Sequence, residues 1–319
     1  MSMGKGNRNR NRRREELERG QSSTFTSSPT PIGRISCDNG ECIQVGLIPR
    51  NILTAIVPLT LRDQQGVKPL GTAFSVGHFP SGHSVFVTAK HVVDCNLPPQ
   101  PGVDILAIMP VSPEHDQAPL QLTGARTVQM SLAEEFCDVA LLVVDRRTAP
   151  LQVFADLRNM PLTFGRPQVG GKCLALGYSD MAIGKLTEDA GPWDFKLRAS
   201  QGVIEELHPT KRDASMVNFP SFRTNAYYEH GMSGGPLVNE NGRVIGVVSS
   251  SYDQAHATAY AAAVAAIGEL SIDLEDQRGN VATWPMKQLA EDGILNLDRG
   301  QVTLARDNSG LVLTWAEEK

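Results

Sequence analysis

Short apolar runs broken by Gly and Pro set the pattern of the chain from about residue 52 onward. The first series is ILTAIVPLTL, GTAFSVG, SVFVTA, DILAIMPV and DVALLVVD. β-Branched residues in short alternating or continuous apolar runs, bounded by turn residues, predict strands. A Pro- and Gly-bearing stretch, MPLTFGRPQVGG, interrupts the series. A second set follows: KCLALGY, FKLRASQGVIEEL, GPLVN, RVIGVVSS and TAYAAAV. So many short strands at this spacing predict an all-β sandwich or barrel. The midpoint break predicts two β lobes, divided near residues 150–168. No internal repeat is strong enough to suggest a solenoid or propeller.

The ends read differently. Residues 1–32 begin Arg- and Asn-rich and continue through QSSTFTSSPTPIG, with little to bury, which predicts a disordered basic arm and a Ser/Thr/Pro linker. The main domain is expected over residues 33–274, with a first lobe at about 50–155 and a second at about 160–270. Residues 275–319 form a C-terminal extension. There PMKQLAEDGIL predicts a short helix and QVTLARDNSGLVLTW a hairpin turning at Asn308, Ser309 and Gly310. The extension is too short for an independent domain and is expected as an appendage on the second lobe.

Composition narrows the function classes. Of 319 residues, 41% are hydrophobic and 20% charged, which suits a soluble core, and the net charge of −5 argues against a nucleic-acid or membrane-surface partner. AYAAAVAAIG falls short of the ~18 apolar residues a membrane span needs. The charged N-terminus has no apolar secretory core. With an odd count of five cysteines, it points to a reducing cytoplasm. CDNGEC, bearing Cys37 and Cys42, is compatible with a small closed loop or a metal site. No second Cys or His pair accompanies it, so no metal is expected.

Three segments carry chemistry. In SVFVTAKHVVDC, His91 follows directly on a strand end, where a loop or one-turn helix can present it to a cleft. In EFCDVALLVVD, Asp138 leads an apolar strand, and a carboxylate there wants an N–H or charged partner. In HGMSGGPLV, Ser233 sits among Gly231, Gly234, Gly235 and Pro236. Serine attacks only with a base to take its proton and N–H donors to hold the oxyanion, and glycines let a backbone turn tightly enough to supply them.

TAKH, DVALL and GMSGGPLV occur in the order His, Asp, Ser, 47 and 95 residues apart. In this the chain resembles the chymotrypsin/trypsin-like serine proteases. The nucleophile motif is closest to bacterial HtrA-like members, although the tail is too short for their peptide-binding PDZ module. The resemblance covers about residues 50–270. It implies two six-stranded antiparallel Greek-key barrels with a short C-terminal helix and hairpin appended. It also implies a bacterial endopeptidase acting on protein or peptide substrates without metal or cofactor, which the cysteine count and the charged N-terminus would place in the cytoplasm. Ser233 would be the nucleophile, His91 the general base and Asp138 its orienting partner. The N–H groups of Gly231 and Ser233 would form the oxyanion hole. Ser249 would support Asp138, and Ser249, Ser250 and Ser251 would pair with an extended substrate.

Departures from the family pattern matter too. Tyr227 stands six residues before the nucleophile, where Arg/Lys-specific members carry an aspartate. Tyr227 and Tyr228 therefore suggest a pocket for small or uncharged apolar P1 residues, with plain barrel packing as the alternative. His230 reads as a loop residue, not a second base. Cys95 has no mate beside His91. Met232 replaces the acid that pairs with a freed amine in zymogens, so insertion after cleavage at Arg34–Ile35 is not expected. The oxyanion loop is then preformed, or set by a regulatory partner or ligand, as a protease in stress response or antiviral defence would require. The contrasting expectation is a latent protease fold used for binding or scaffolding.

Overall fold

The computed structural model describes residues 35–36, 42–43, 54–94, 102–110, 122–133, 137–149, 158–183, 193–252, 258–275, 280–300, 302–308 and 310–316. The expected arm, Arg34, Cys37, Cys95, the side chain of Cys42 and Ser309 lie outside them. Strands β1 (Ile35–Ser36) and β2 (Cys42–Ile43) form a two-residue antiparallel ladder.

The first barrel uses the first apolar series. Strands β3 (Ile56–Asp63), β4 (Gly66–His78), β5 (His83–Thr88), β6 (Asp104–Pro110), β7 (Leu122–Leu132) and β8 (Ala140–Asp145) close in the order β3-β4-β5-β8-β7-β6. All six pairings are antiparallel. Burial explains the choice of residues: Ile56, Phe74, Val85, Phe86, Leu141 and Leu142 are wholly enclosed. In β5 every residue from Ser84 to Thr88 is buried, so this run is apolar almost throughout and not alternating.

The second barrel uses the second series. It comprises β10 (Lys172–Ile183), β11 (Trp193–His208), β12 (Ser221–Thr224), β13 (Pro236–Asn239), β14 (Val244–Tyr252) and β15 (Thr258–Ala263). Their order is β13-β10-β11-β12-β15-β14, and a β13–β14 ladder closes the ring. The short β9 (Leu162–Thr163) lies parallel on β14. Two closed six-stranded antiparallel barrels are the chymotrypsin-like architecture that the sequence led us to expect.

The C-terminal extension is more than an appendage on the second barrel. Strands β16 (Ser271–Glu275) and β17 (Val281–Pro285) form a hairpin that the apolar pattern did not predict. A one-and-a-half-turn helix, Met286–Glu291, follows, as expected, and buries Met286 and Leu289. β18 (Leu297–Asp298) pairs with β9. β19 (Val302–Asp307) and β20 (Gly310–Trp315) form the predicted hairpin, with Gly310 already paired to Asp307.

This extension touches both barrels. Leu295 bridges to Gly77 and Trp284 meets Phe79 edge-on at 6.2 Å, while in β16, which begins four residues before the extension, the Asp273 N–H donates to Gln129 Oε1 at 2.9 Å. On the second side Trp315 Nε1 donates to the Phe164 carbonyl at 3.0 Å, and the Leu313 N–H to the Pro209 carbonyl at 2.8 Å.

Candidate active site

The site lies between the barrels, and each functional side chain arrives on a different element. β5 ends at Thr88, and the one-turn helix Lys90–Asp94 follows. Buried Val92 and Val93 anchor that turn, while the His91 imidazole stays half-exposed. A helix start leaves backbone N–H groups without intrahelical acceptors. Asp138, at the entry to β8, supplies one: the His91 N–H donates to Asp138 Oδ1 at 2.9 Å. The same carboxylate holds the ring, with His91 Nδ1 at 3.0 Å from Oδ1 and 2.9 Å from Oδ2.

Ser249 completes the carboxylate's shell. Its hydroxyl donates to Asp138 Oδ2. A β-bulge aims it there. Val248 pairs with Ala261 and Ser250 with Tyr260, so Ser249 is the extra residue of β14. A bulge re-aims one side chain and frees its backbone from the ladder. The freed Ser249 carbonyl accepts the Ser233 hydroxyl at 3.1 Å. Among the described residues no hydrogen bond joins Ser233 Oγ to the imidazole.

Burial of the ring favours neutral His91. The hydrogen bond to Asp138 and its negative charge outweigh that effect, so the pKa rises above the ordinary 6.5. The stabilisation from this pair is full below pH 6.5 and is lost as pH climbs through the raised folded-state value. An NMR titration is expected to place wild-type His91 above 6.5. In Asp138→Asn both raising causes vanish and burial remains, so the value should fall below 6.5. An unchanged titration would refute the coupling.

The loop carrying Ser233 is locked plane by plane. The Met232 N–H donates to the Glu229 carbonyl at 3.0 Å, the Gly234 N–H to Val248 at 2.8 Å, and the Gly235 N–H to Met232 at 2.9 Å. In a trans peptide N–H and C=O point opposite ways. Fixing the Met232 carbonyl on Gly235 therefore turns the Ser233 N–H to the other side. Among the described residues, neither this N–H nor that of Gly231 has a hydrogen-bond partner. Gly231 holds φ at +95°, and an added Cβ would lie 2.7 Å from the Tyr178 carbonyl.

Met232 anchors this loop by burial. It is 1% exposed, and its Sδ accepts the Glu229 N–H at 3.4 Å. It fits because Gly177 of β10 has no side chain: a Cβ there would stand 2.7 Å from Met232 Cα. Three residues before it, Glu229 pairs with Arg198 at 3.3 Å.

The sequence-predicted residues thus separate into groups. His91, Asp138, Ser233, Ser249 and Gly231 converge. Tyr228 is buried, with its hydroxyl 3.0 Å from Thr224 Oγ1, so barrel packing describes it. Tyr227 is partly exposed, and its N–H donates to Ser200 Oγ at 2.9 Å. Ser250 and Ser251 lie in β14, paired with Tyr260 and Ala259. His230 is exposed on the loop.

Sequence reasoning missed two features. One is Thr72, inside the run GTAFSVG, which meets the loop from the first barrel. The other is the connection before β12. Asp213 Oδ1 accepts the N–H groups of Ser215, Met216 and Val217 at 2.9, 2.6 and 3.1 Å. So shaped, the segment brings Met216 and Phe219 to a cavity of about 450 Å³ beside His91, Asp138 and Ser249. Met216 is 60% exposed there.

No curated protein matches the sequence. Among solved structures, Deg5 shares 18% identity over 67% of this chain and 86% of its own, with a TM-score of 0.46. The active form of the Rv3671c protease from M. tuberculosis shares 18% over 67% and 78%, at 0.42. The HtrA-type protease AlgW with tripeptide shares 18% over 66% and 56%, also at 0.42. The family model of the trypsin-like peptidase domain matches residues 71–247, a span that includes His91, Asp138 and Ser233 and more than half the chain. The chain therefore belongs to the trypsin-like peptidase family.

Proposed function

We propose that the chain is a serine endopeptidase that cleaves peptide bonds through an acyl-enzyme on Ser233. One observation carries the reading: a carboxylate-held imidazole stands in the same site as a serine whose own N–H, with that of Gly231, has no hydrogen-bond partner among the described residues. In the reaction Ser233 Oγ turns from the Ser249 carbonyl toward His91. His91 Nε2 takes its proton as Oγ attacks the scissile carbonyl. The N–H groups of Gly231 and Ser233 receive the oxyanion, and one such donor is typically worth about 3–4 kcal/mol. His91 then protonates the leaving amine, and water repeats the sequence to release the acid. Asp138 fixes the tautomer and stabilises the cationic ring. The β14 segment Ser249–Ser251 pairs with the extended substrate. A preference for small or uncharged P1 residues now rests on Tyr227 alone.

The test is labelling by a fluorophosphonate probe. Wild type is expected to label, and Ser233→Ala to lose both labelling and hydrolysis, the latter by roughly 10⁶-fold. Undiminished labelling of the alanine variant would refute the proposal.

We place this activity in a reducing bacterial cytoplasm, in line with unpaired Cys137 and Cys173. There it acts as a regulated protease in stress response or antiviral defence. Met232 excludes an amine–carboxylate switch at its own position, which leaves a partner or ligand as the trigger. Strong constitutive cleavage of unfolded substrates by the isolated protein would count against regulation.

A second reading, a latent fold used for binding, has one observation in its favour: the Ser233 hydroxyl rests on Ser249, not on His91. Catalytic hydrogen bonds are often loose before substrate arrives, so the first reading stands above it. The same labelling experiment separates the two.

A further inference from the structure

We propose that Thr72, from the first barrel, is the positioning residue that sets the oxyanion loop of the second. This rests on the peptidase reading of Ser233. Thr72 lies in β4, wholly buried, and every one of its polar atoms is engaged. Its Oγ1 donates to the Gly231 carbonyl at 2.8 Å and accepts the Tyr178 N–H at 2.8 Å. Its backbone N–H donates to the Ser233 carbonyl at 2.8 Å. Its own carbonyl accepts the Thr88 hydroxyl at 2.7 Å, three residues before His91.

One residue thus holds two peptide planes of the nucleophile loop. The plane between Gly231 and Met232 is pinned at its oxygen by Thr72 Oγ1 and at its N–H by Glu229. The plane between Ser233 and Gly234 is pinned at its oxygen by the Thr72 N–H and at its N–H by Val248. With both fixed, the intervening N–H of Ser233 has no freedom to swing from the hole. Gly231, at φ +95°, is where such a loop turns most easily, and Thr72 Oγ1 holds its carbonyl. Oγ1 also ties the loop to β10 through Tyr178. The geometry of the hole therefore depends on a hydroxyl that never meets the substrate.

The experiment compares Thr72→Val with Thr72→Ser in the full chain. Valine keeps the shape and the backbone bonds but leaves the Gly231 carbonyl and the Tyr178 N–H unpaired. It is expected to lower kcat roughly 100-fold through misplaced donors, with KM unchanged. Serine restores the hydroxyl and is expected to restore kcat to within a few-fold, roughly, of wild type. Amide hydrogen exchange reads the loop independently of hydrolysis. The Met232 amide should exchange at least roughly 10-fold faster in the valine variant only, and the Val85 amide in β5 should not change. Wild-type kcat together with unchanged Met232 exchange in Thr72→Val would overturn the proposal. So would serine failing to rescue. If wild type shows no Ser233-dependent turnover, the peptidase reading falls and the exchange data alone decide the clamp: faster in valine and not in serine upholds it, no change overturns it.

Discussion

Asp138→Asn is expected to lower kcat by about 10⁴-fold while leaving the fold intact. Three donors converge on the two oxygens of this carboxylate: the His91 backbone N–H on Oδ1, the His91 ring between them, and the Ser249 hydroxyl on Oδ2. Asparagine offers one oxygen and one NH₂. With the oxygen toward the His91 N–H, the NH₂ faces both the ring and Ser249. The ring answers by accepting at Nδ1, which moves its own proton to Nε2 and leaves nothing there to receive the Ser233 proton. Steady-state kinetics at several pH values check this. A loss smaller than about tenfold would mean that the tautomer does not limit the reaction.

The second large effect is on stability. Met232→Asp is expected to cost about 3–5 kcal/mol near neutral pH, because it places a carboxylate where methionine is 1% exposed and where the nearby Arg198 already pairs with Glu229. The sign with pH is unusual for an aspartate. Burial raises the folded-state pKa above the unfolded value of about 3.9, so the folded state retains its proton longer. The variant is then least destabilised below about pH 4 and loses stability as pH rises through the window up to the raised value. Met232→Leu, similar in volume and apolar, should stay within about 1.5 kcal/mol of wild type. Urea midpoints measured across pH decide the matter. An aspartate variant as stable as wild type at pH 7 would show that the pocket accepts charge.

These expectations indicate how much of the protein could be read in its sequence. His91, Asp138 and Ser233 stood out because three short motifs fell in one order at barrel-like spacing. The strands around them stood out because their buried faces are apolar. Thr72 did not, since a threonine in a strand carries no mark of a partner 159 residues away. The aim of Ser249 was expected only by resemblance. Its physical cause is a bulge, which exists in the register between β14 and β15 and in neither strand alone. Tyr228 was ambiguous because a tyrosine beside a nucleophile can line a pocket or fill a core, and Thr224 decides for the core. The β16–β17 hairpin escaped notice because only β16, Ser271-Ile272-Asp273-Leu274-Glu275, alternates, while in its partner Val281–Thr283 and Pro285 are all exposed and give no apolar face to detect.

The contact between Leu295 and Gly77 has a consequence for how the protein is made. During synthesis Gly77 leaves the ribosome more than two hundred residues before Leu295. The first barrel can close on itself while the second is still unmade. The oxyanion loop can form only once the second barrel docks on Thr72, and the strap formed by the extension arrives later still. A nascent chain therefore carries its histidine and aspartate long before it can hold an oxyanion. On the proposed peptidase reading, it leaves its neighbours on the polysome uncut until the two barrels have docked.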